Sequence, residues 1–231
     1  MYGLAYWGAV EYWGESNQWP KKGWNYSFFN HALNPYPQAY VMKSIFEEEP
    51  LVRIGVVDSE EESFEWNDAK VGRTPISSHW NRTPDSNLNL FTYTNADEVE
   101  LLLNGKSIGV QKNNRQDKRR RNSIFWKNVP YGKGGKITAI ARNAGKEVAR
   151  HQLETTGEPK KLIAEIENTD WKADGMDLQY LRVYAVDSRG RVVPTATNEL
   201  TFEVSGEATI TATDNGDHFT DNLFNEQIGR A

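Results

Sequence analysis

The sequence predicts a mainly β protein in which a short strand, loop and helix precede two β-sandwich domains. Three observations lead there. At 231 residues the chain is long for one domain and comfortable for two. Aromatic residues crowd the first 50 positions, which hold four of the eight Trp and six of the ten Tyr. From Leu51 onward, apolar residues recur with a period of two in short runs separated by Gly, Asn and Pro, the pattern of half-buried strands. Boundaries follow near Pro50 and at Thr155-Thr156-Gly157-Glu158-Pro159, giving segments 1–50, 51–157 and 158–231.

In the first segment, Gly3 to Trp13 is apolar on both parities, as a strand buried on both faces would be, and Gly14-Glu15-Ser16 closes it. The Pro- and Gly-rich stretch Trp19 to Trp24 reads as a loop. Pro37 to Glu49 places Ala39, Tyr40, Met42, Ile45 and Phe46 at helical spacing and stops before Pro50. Leu51–Val57 is a strand, followed by a polar, acidic stretch with turn signals at Gly72 and Pro75. Asn87–Thr94 is the next strand. Asn104-Gly105 joins two short strands within 99–109, because both residues accept the positive φ of a tight hairpin turn. Ser123–Trp126, Lys136–Ala141 and Glu147–Leu153 complete the first sandwich, the last two linked through Asn143-Ala144-Gly145-Lys146. The second sandwich takes Leu162–Ile166, Leu181–Val186, a short strand at Val192–Pro194, Leu200–Val204 and Ala208–Ala212; no alternating strand is predicted beyond these.

Composition excludes several classes of function. Apolar residues make 38% of the chain and the large rings are plentiful, which rules out a disordered polymer. No window approaches the roughly 18 apolar residues of a membrane span. A net charge of -5 supplies no global attraction to nucleic acid or to an anionic membrane. With no cysteine there is no disulfide, thiolate zinc site or cysteine nucleophile, and His31, His79, His151 and His218 are too scattered for a histidine-rich metal site. Neither a metal nor a cofactor is expected.

Four local features bear on chemistry. Lys118-Arg119-Arg120-Arg121 resembles a phosphate grip but lacks interleaved stacking aromatics, so a solvated hairpin loop is expected. Asp214-Asn215-Gly216-Asp217 lacks the later Glu of a calcium loop and reads as a turn. Glu11 and Glu15 lie about 13 Å apart along an extended strand, too far for a retaining glycosidase pair at about 5–5.5 Å. Trp13, Trp19 and Trp24, with Trp7, have the chemistry of a platform for the C–H face of a pyranose, although aromatics at this density ordinarily pack as core.

Motif order adds a resemblance. Gly3-Leu4-Ala5-Tyr6-Trp7-Gly8-Ala9-Val10-Glu11-Tyr12-Trp13-Gly14-Glu15-Ser16 resembles the eighth-strand segment of glycoside hydrolase family 2 β-galactosidases, and Trp19-Pro20 with Gly23-Trp24 the loop after it. His79-Trp80-Asn81, Thr92 to Leu101, Leu103 to Gly109, Val129-Pro130-Tyr131 and Thr155-Thr156-Gly157 resemble the sandwich behind the barrel. Ala173 to Leu178, Val186-Asp187-Ser188-Arg189-Gly190, Val193 to Ala196, Phe202 to Gly206 and Asp214 to Asp217 resemble the immunoglobulin-like domain that follows.

The resemblance implies the last βα unit of a (β/α)8 barrel in 1–50 and two immunoglobulin-like sandwiches in 51–157 and 158–231, the second truncated. It implies that Trp7 and Glu11 bind the substrate in the parent, Trp7 by facing the sugar and Glu11 from a position where relatives often have Asp. Both catalytic Glu of the retaining reaction would lie upstream of Met1, so this chain would be inactive and contain no catalytic residue. The parent would act on carbohydrate, in a periplasmic or secreted bacterial setting, and residues 1–50 would invite a homo-oligomer. The acidic stretch Asp58–Asp68 and the basic loop near Arg119 depart from the family pattern. The alternative class is a stand-alone carbohydrate-binding or structural β-sandwich module.

Overall fold

The computed structural model describes residues 8–16, 19, 21–24, 26–59, 62–66, 68–217, 219 and 228–230. The chain divides into two compact units, Met1–Thr155 with Gly216–Phe219, and Thr156–Asn215 with Thr220–Ala231.

In the first unit the elements run β1 (Tyr12–Trp13), β2 (Gly23–Trp24), α1 (Ala39–Phe46), β3 (Val52–Val57), β4 (Glu62–Trp66), β5 (Ala69–Arg73), β6 (Ile76–Ser77), β7 (Asn87–Thr94), β8 (Glu98–Leu103), β9 (Lys106–Lys112), β10 (Ser123–Pro130), β11 (Lys136–Asn143) and β12 (Lys146–Glu154). Two antiparallel four-stranded sheets carry the core, ordered β10-β7-β3-β6 and β12-β11-β8-β9. The period of two sends Val52, Ile54 and Val56, Leu88 and Leu90, and Ile124 and Trp126 inward from the first sheet. They meet Val99, Leu101, Ile137, Ala139 and Ala141 from the second. Trp80 is fully buried among them, and the Trp126 indole N–H donates to the buried Thr92 hydroxyl at 3.0 Å.

Both predicted hairpins form. Asn104 (φ 50°) with Gly105 (82°), and Ala144 (48°) with Gly145 (78°), adopt positive φ at both central positions, the twist that matches paired strands. The basic stretch after β9 is exposed at Lys118–Arg121. Its base is closed by Asn113 and Asn122, which exchange hydrogen bonds at 3.1 and 3.0 Å. The Asn122 amide in turn donates to the carbonyl and hydroxyl of Ser44 on α1.

Three differences from the sequence reading are local. Residues 3–7 of the Gly3–Trp13 strand lie outside the described residues. After them only Tyr12–Trp13 is strand, and Ala9 and Val10 are exposed rather than buried on both faces. Helix α1 is shorter than Pro37–Glu49, and its buried residues are Ala39 and Ser44, while Ile45 and Phe46 are 45% and 70% exposed. The polar stretch after Val57 is a hairpin, β4 with β5, paired from Glu62↔Arg73 to Trp66↔Ala69. Asp68, at φ 62°, supplies the left-handed turn residue that makes it possible.

Gly55 explains how the N-terminal segment seats on the sandwich. A Cβ there would lie 2.5 Å from Ile76 and 2.8 Å from Pro37, so only glycine lets both approach the outer face of β3. The Arg53 guanidinium covers the Tyr40 ring at 4.9 Å, and Asn95 donates to the carbonyls of Glu47 and Glu49.

The second unit contains β13 (Lys161–Ile166), β14 (Leu181–Val186), β15 (Glu199–Thr201) and β16 (Ile228–Arg230). They form two two-stranded sheets, β13-β14 and β15-β16. Predicted strands at Val192–Pro194 and Ala208–Ala212 are not strands; Val192 makes a single bridge to Val186, and the strand expected at Leu200–Val204 is reduced to Glu199–Thr201. A strand at 228–230, where none was predicted, pairs with β15. Alternation alone does not supply a hydrogen-bonding neighbour, and a neighbour decides which alternating runs become strands.

Candidate functional site

The residues singled out for sugar contact fall in the segment 8–36, which is knotted by backbone bonds rather than by long strands. The amides of Phe28 and Phe29 both donate to the Ala9 carbonyl at 3.1 Å, Glu11 N–H to Phe29 at 2.9 Å, and Tyr36 N–H to Phe28 at 2.8 Å. Arg73 then links Tyr26, which meets Trp24, to Tyr36, which meets Glu11, so these four side chains form one cluster, while the Trp13 ring packs on His31. Trp7 lies outside the described residues.

Glu11 is 2% exposed. Its Oε2 accepts the Tyr36 hydroxyl at 3.0 Å, and its Oε1 lies 3.9 Å from Nη1 of Arg73. Burial, followed by the negative charge and hydrogen bond of Glu11, pushes the Tyr36 hydroxyl far above the ordinary phenol value, so it remains a donor at every physiological pH. Arg73 also faces the rings of Tyr26 and Tyr36, each at 5.9 Å. This arrangement holds an acceptor in place: the carboxylate is engaged by a phenol that keeps its proton and by a guanidinium. Glu15, by contrast, is exposed and accepts the Tyr12 hydroxyl at 2.6 Å, so the two glutamates serve separate local contacts.

The three tryptophans read as a platform have different surroundings. Trp13 lies 4.5 Å from the His31 ring at 57°. Trp24 stacks on Tyr12 at 6.5 Å and 11°, and meets Tyr26 at 5.1 Å. Both are half-buried, whereas Trp19 is 75% exposed with the Lys22 ammonium 5.9 Å from its ring. Packing therefore takes up much of the Trp13 and Trp24 surface, and Trp19 presents its ring to solvent.

Sequence reasoning missed Tyr36 and Arg73. Arg73 arrives on β5, in the stretch read as a polar loop; the signal was there in Phe64, Trp66 and Val71, which alternate around the turn at Asp68. Among the described residues, no group of three or more His, Asp or Glu is placed to hold a metal ion, and no helix is long and apolar enough to cross a membrane.

Comparison with known proteins gives this geometry a context. Residues 162–231 match the glycoside hydrolase family 2 C-terminal domain 5, and residues 85–149 match a domain of unknown function, DUF4982. A β-galactosidase of Bacteroides ovatus is 33% identical over 168 residues, which is 72% of this chain and 19% of that protein. The chain matches the C-terminal region of glycoside hydrolase family 2 enzymes. A β-galactosidase of Thermoanaerobacter pseudethanolicus is 35% identical over 129 residues, 51% of this chain and 17% of its own. A crystal structure of a glycosyl hydrolase family 2 member from Bacteroides cellulosilyticus superposes with a TM-score of 0.86 at 28% identity, covering 97% of this chain and 30% of that one. The chain thus spans less than a third of the length of these family 2 relatives. Its mainly β, sandwich-bearing architecture is that of the superposed part of the Bacteroides cellulosilyticus structure.

Proposed function

We propose that this chain is the non-catalytic C-terminal part of a β-galactosidase-like enzyme that hydrolyses terminal β-glycosidic bonds with retention. In this reading residues 1–50 are the last βα unit of the catalytic barrel, 51–157 a supporting sandwich and 158–231 a second, immunoglobulin-like sandwich. The observation that supports it is the near-complete superposition of the chain on about a third of a family 2 structure.

Retaining hydrolysis needs one carboxylate to attack the anomeric carbon and a second to protonate the leaving oxygen, about 5–5.5 Å away. In the proposal both belong to the part of the barrel that precedes this chain. By family likeness Trp7 and Glu11 contact the sugar in the parent, and the Tyr36 hydroxyl and Arg73 guanidinium hold the Glu11 carboxyl in place for that contact. Purified chain should therefore hydrolyse an aryl β-galactoside no faster than buffer. Turnover that disappears in Glu11→Gln would overturn the proposal.

A homo-oligomer built through residues 1–50 belongs to the same reading. Val10, Trp19, Leu33, Ile45 and Phe46 are exposed there, and covering apolar surface contributes roughly 25 cal/mol per Å². Light scattering over a concentration series, on the whole chain and on a form starting at Leu51, tests it. A monomer at every concentration rejects self-association; a dimer that survives the deletion places the interface elsewhere.

A further inference from the structure

The outer face of the β10-β7-β3-β6 sheet is not uniform. Toward one end it is covered, since Pro37 and Ile76 lie over Gly55, and Tyr93 is 3% exposed. Toward the other it opens into a groove of about 410 Å³ lined by Phe91, Phe125, Asn87, Asn89, Thr74 and Asp58, among others. That volume lies within the roughly 300–1,000 Å³ of clefts that hold small ligands.

Two features of the groove are chemical rather than merely concave. Phe91 and Phe125 are directly paired across β7 and β10, with ring centroids 4.7 Å apart and planes at 38°. Both are half-buried and leave ring surface toward the groove. Around them, polar groups stand ready: Asn87, Asn89 and Thr74 are side chains whose amide N–H2 groups and hydroxyl have no protein partner among the described residues. Asn89 is held in one orientation, because its Oδ1 accepts the Asn128 N–H at 3.2 Å and so turns its N–H2 outward as a donor. Asp58 is fixed by the Ser77 hydroxyl at 2.8 Å and by Nη2 of Arg82 at 2.7 Å.

We propose that this groove is a glycan-binding site, taking a neutral pyranose oligosaccharide with one sugar ring against Phe91 and Phe125. A pyranose has an apolar face of C–H bonds, whose slightly positive hydrogens suit the negative face of an aromatic ring, and a rim of hydroxyls that both donate and accept. The groove offers the same division, rings at its floor and amide, hydroxyl and carboxylate groups at its edges. A peptide partner is a poorer fit. An added peptide strand would pair along the sheet's edge at β10, beside the sheet, and would leave the face that carries Phe91 and Phe125 unused. The site lies on the sandwich, apart from Trp13, Trp19 and Trp24, and it would hold substrate or product chains while hydrolysis occurs elsewhere. The choice of sugar rests on the galactosidase reading above.

Calorimetric titration of the 231-residue chain with lactose, β-1,4-galactotriose and cellotriose tests the proposal. At least one sugar should bind saturably. Phe91→Ala and Phe125→Ala should each weaken that binding about tenfold or more, equivalent to about 1.4 kcal/mol. Phe125→Tyr, which keeps a ring and the fold, should retain it, Asn89→Ala should weaken it, and Trp19→Ala should leave it unchanged. Absence of saturable binding by all three sugars, or binding lost in Trp19→Ala and kept in Phe91→Ala, would overturn the site. Failure of the galactosidase reading shows itself differently, as cellotriose binding with no binding of either galactoside; the groove would then stand and its assigned sugar would fall.

Discussion

The two compact units use the same alternation of apolar residues and end in different states. In the first, Ile54, Val56, Trp80, Leu90, Leu101 and Ile137 have no exposed surface, because two four-stranded sheets face each other and each supplies the cover for the other. In the second, the described strands pair only two by two. Ala185, Val186 and Val193 are buried there, while Leu162, Ile166 and Leu181 of β13 and β14 are 53–59% exposed. What orders the second unit locally is polar. Asp187 is 1% exposed; it accepts the amides of Gly157, Arg189 and Arg191 at 3.0, 2.9 and 3.0 Å and the Arg191 guanidinium at 2.6 and 2.9 Å. A hydrophobic core is a property of facing layers, whereas a charged turn needs only its own few residues.

The sharpest break of this comparison is a cavity. Trp80→Ala should cost the first unit about 3–5 kcal/mol, the range for removing a buried large ring, whereas Leu162→Ala should change stability by no more than about 0.5 kcal/mol. Urea titrations of both variants measure the difference. An equal loss in the two would show that Leu162 is covered in solution.

Acid should separate the units next. His151 accepts the Ile54 N–H on Nδ1 at 3.2 Å, and burial, helped by Arg53, lowers it to about 4; burial, helped by Arg82, lowers His79 to about 4 as well. Both are neutral when folded and protonate more readily when unfolded, near the ordinary value of about 6.5. The unfolded state then binds more protons between these values, so stability of the first unit falls as pH drops from about 6.5 toward 4. His151→Gln should flatten that part of the profile.

Asp187 behaves oppositely in range. The Arg191 guanidinium, and then the Gly157 amide, hold its carboxyl well below the usual carboxylate value. Its contribution is complete above the unfolded value of about 3.9 and is lost only as pH falls through the depressed folded value. Asp187→Asn should therefore speed amide hydrogen exchange at Gly157, Arg189 and Arg191 at neutral pH, and the difference from wild type should shrink below about pH 4. Smallest of all, replacing Arg119, Arg120 and Arg121 with Ser should alter the melting free energy by no more than about 0.5 kcal/mol, as exposed positions do. A larger loss would mean that these arginines brace the loop closed by Asn113 and Asn122.

Much of the first sandwich could be read from the chain alone, because its signals are local. The period of two in β3, β7 and β8 needs only neighbouring residues, and Asn104-Gly105 specifies its turn by the φ angles those two residues tolerate. The family likeness was equally legible, since motif order survives without coordinates. The candidate site was legible in half. Glu11 and the tryptophans stood out by type, but Tyr36 and Arg73 lie 25 and 62 positions away from Glu11, at distances along the chain that no local pattern spans.

Tertiary structure decided the remainder, and the reason is the same in each case. Whether Val192 or Leu200 extends into a strand depends on a partner's free N–H and C=O groups. Whether Ile45 and Phe46 are buried depends on what covers α1. The sequence determined which residues are able to bury, turn or carry charge; only the approach of distant segments, as at Gly55 beneath Pro37 and Ile76, determined which of them do. The groove at Phe91 and Phe125 follows from that second kind of decision, because two phenylalanines 34 positions apart become one surface only when β7 pairs with β10.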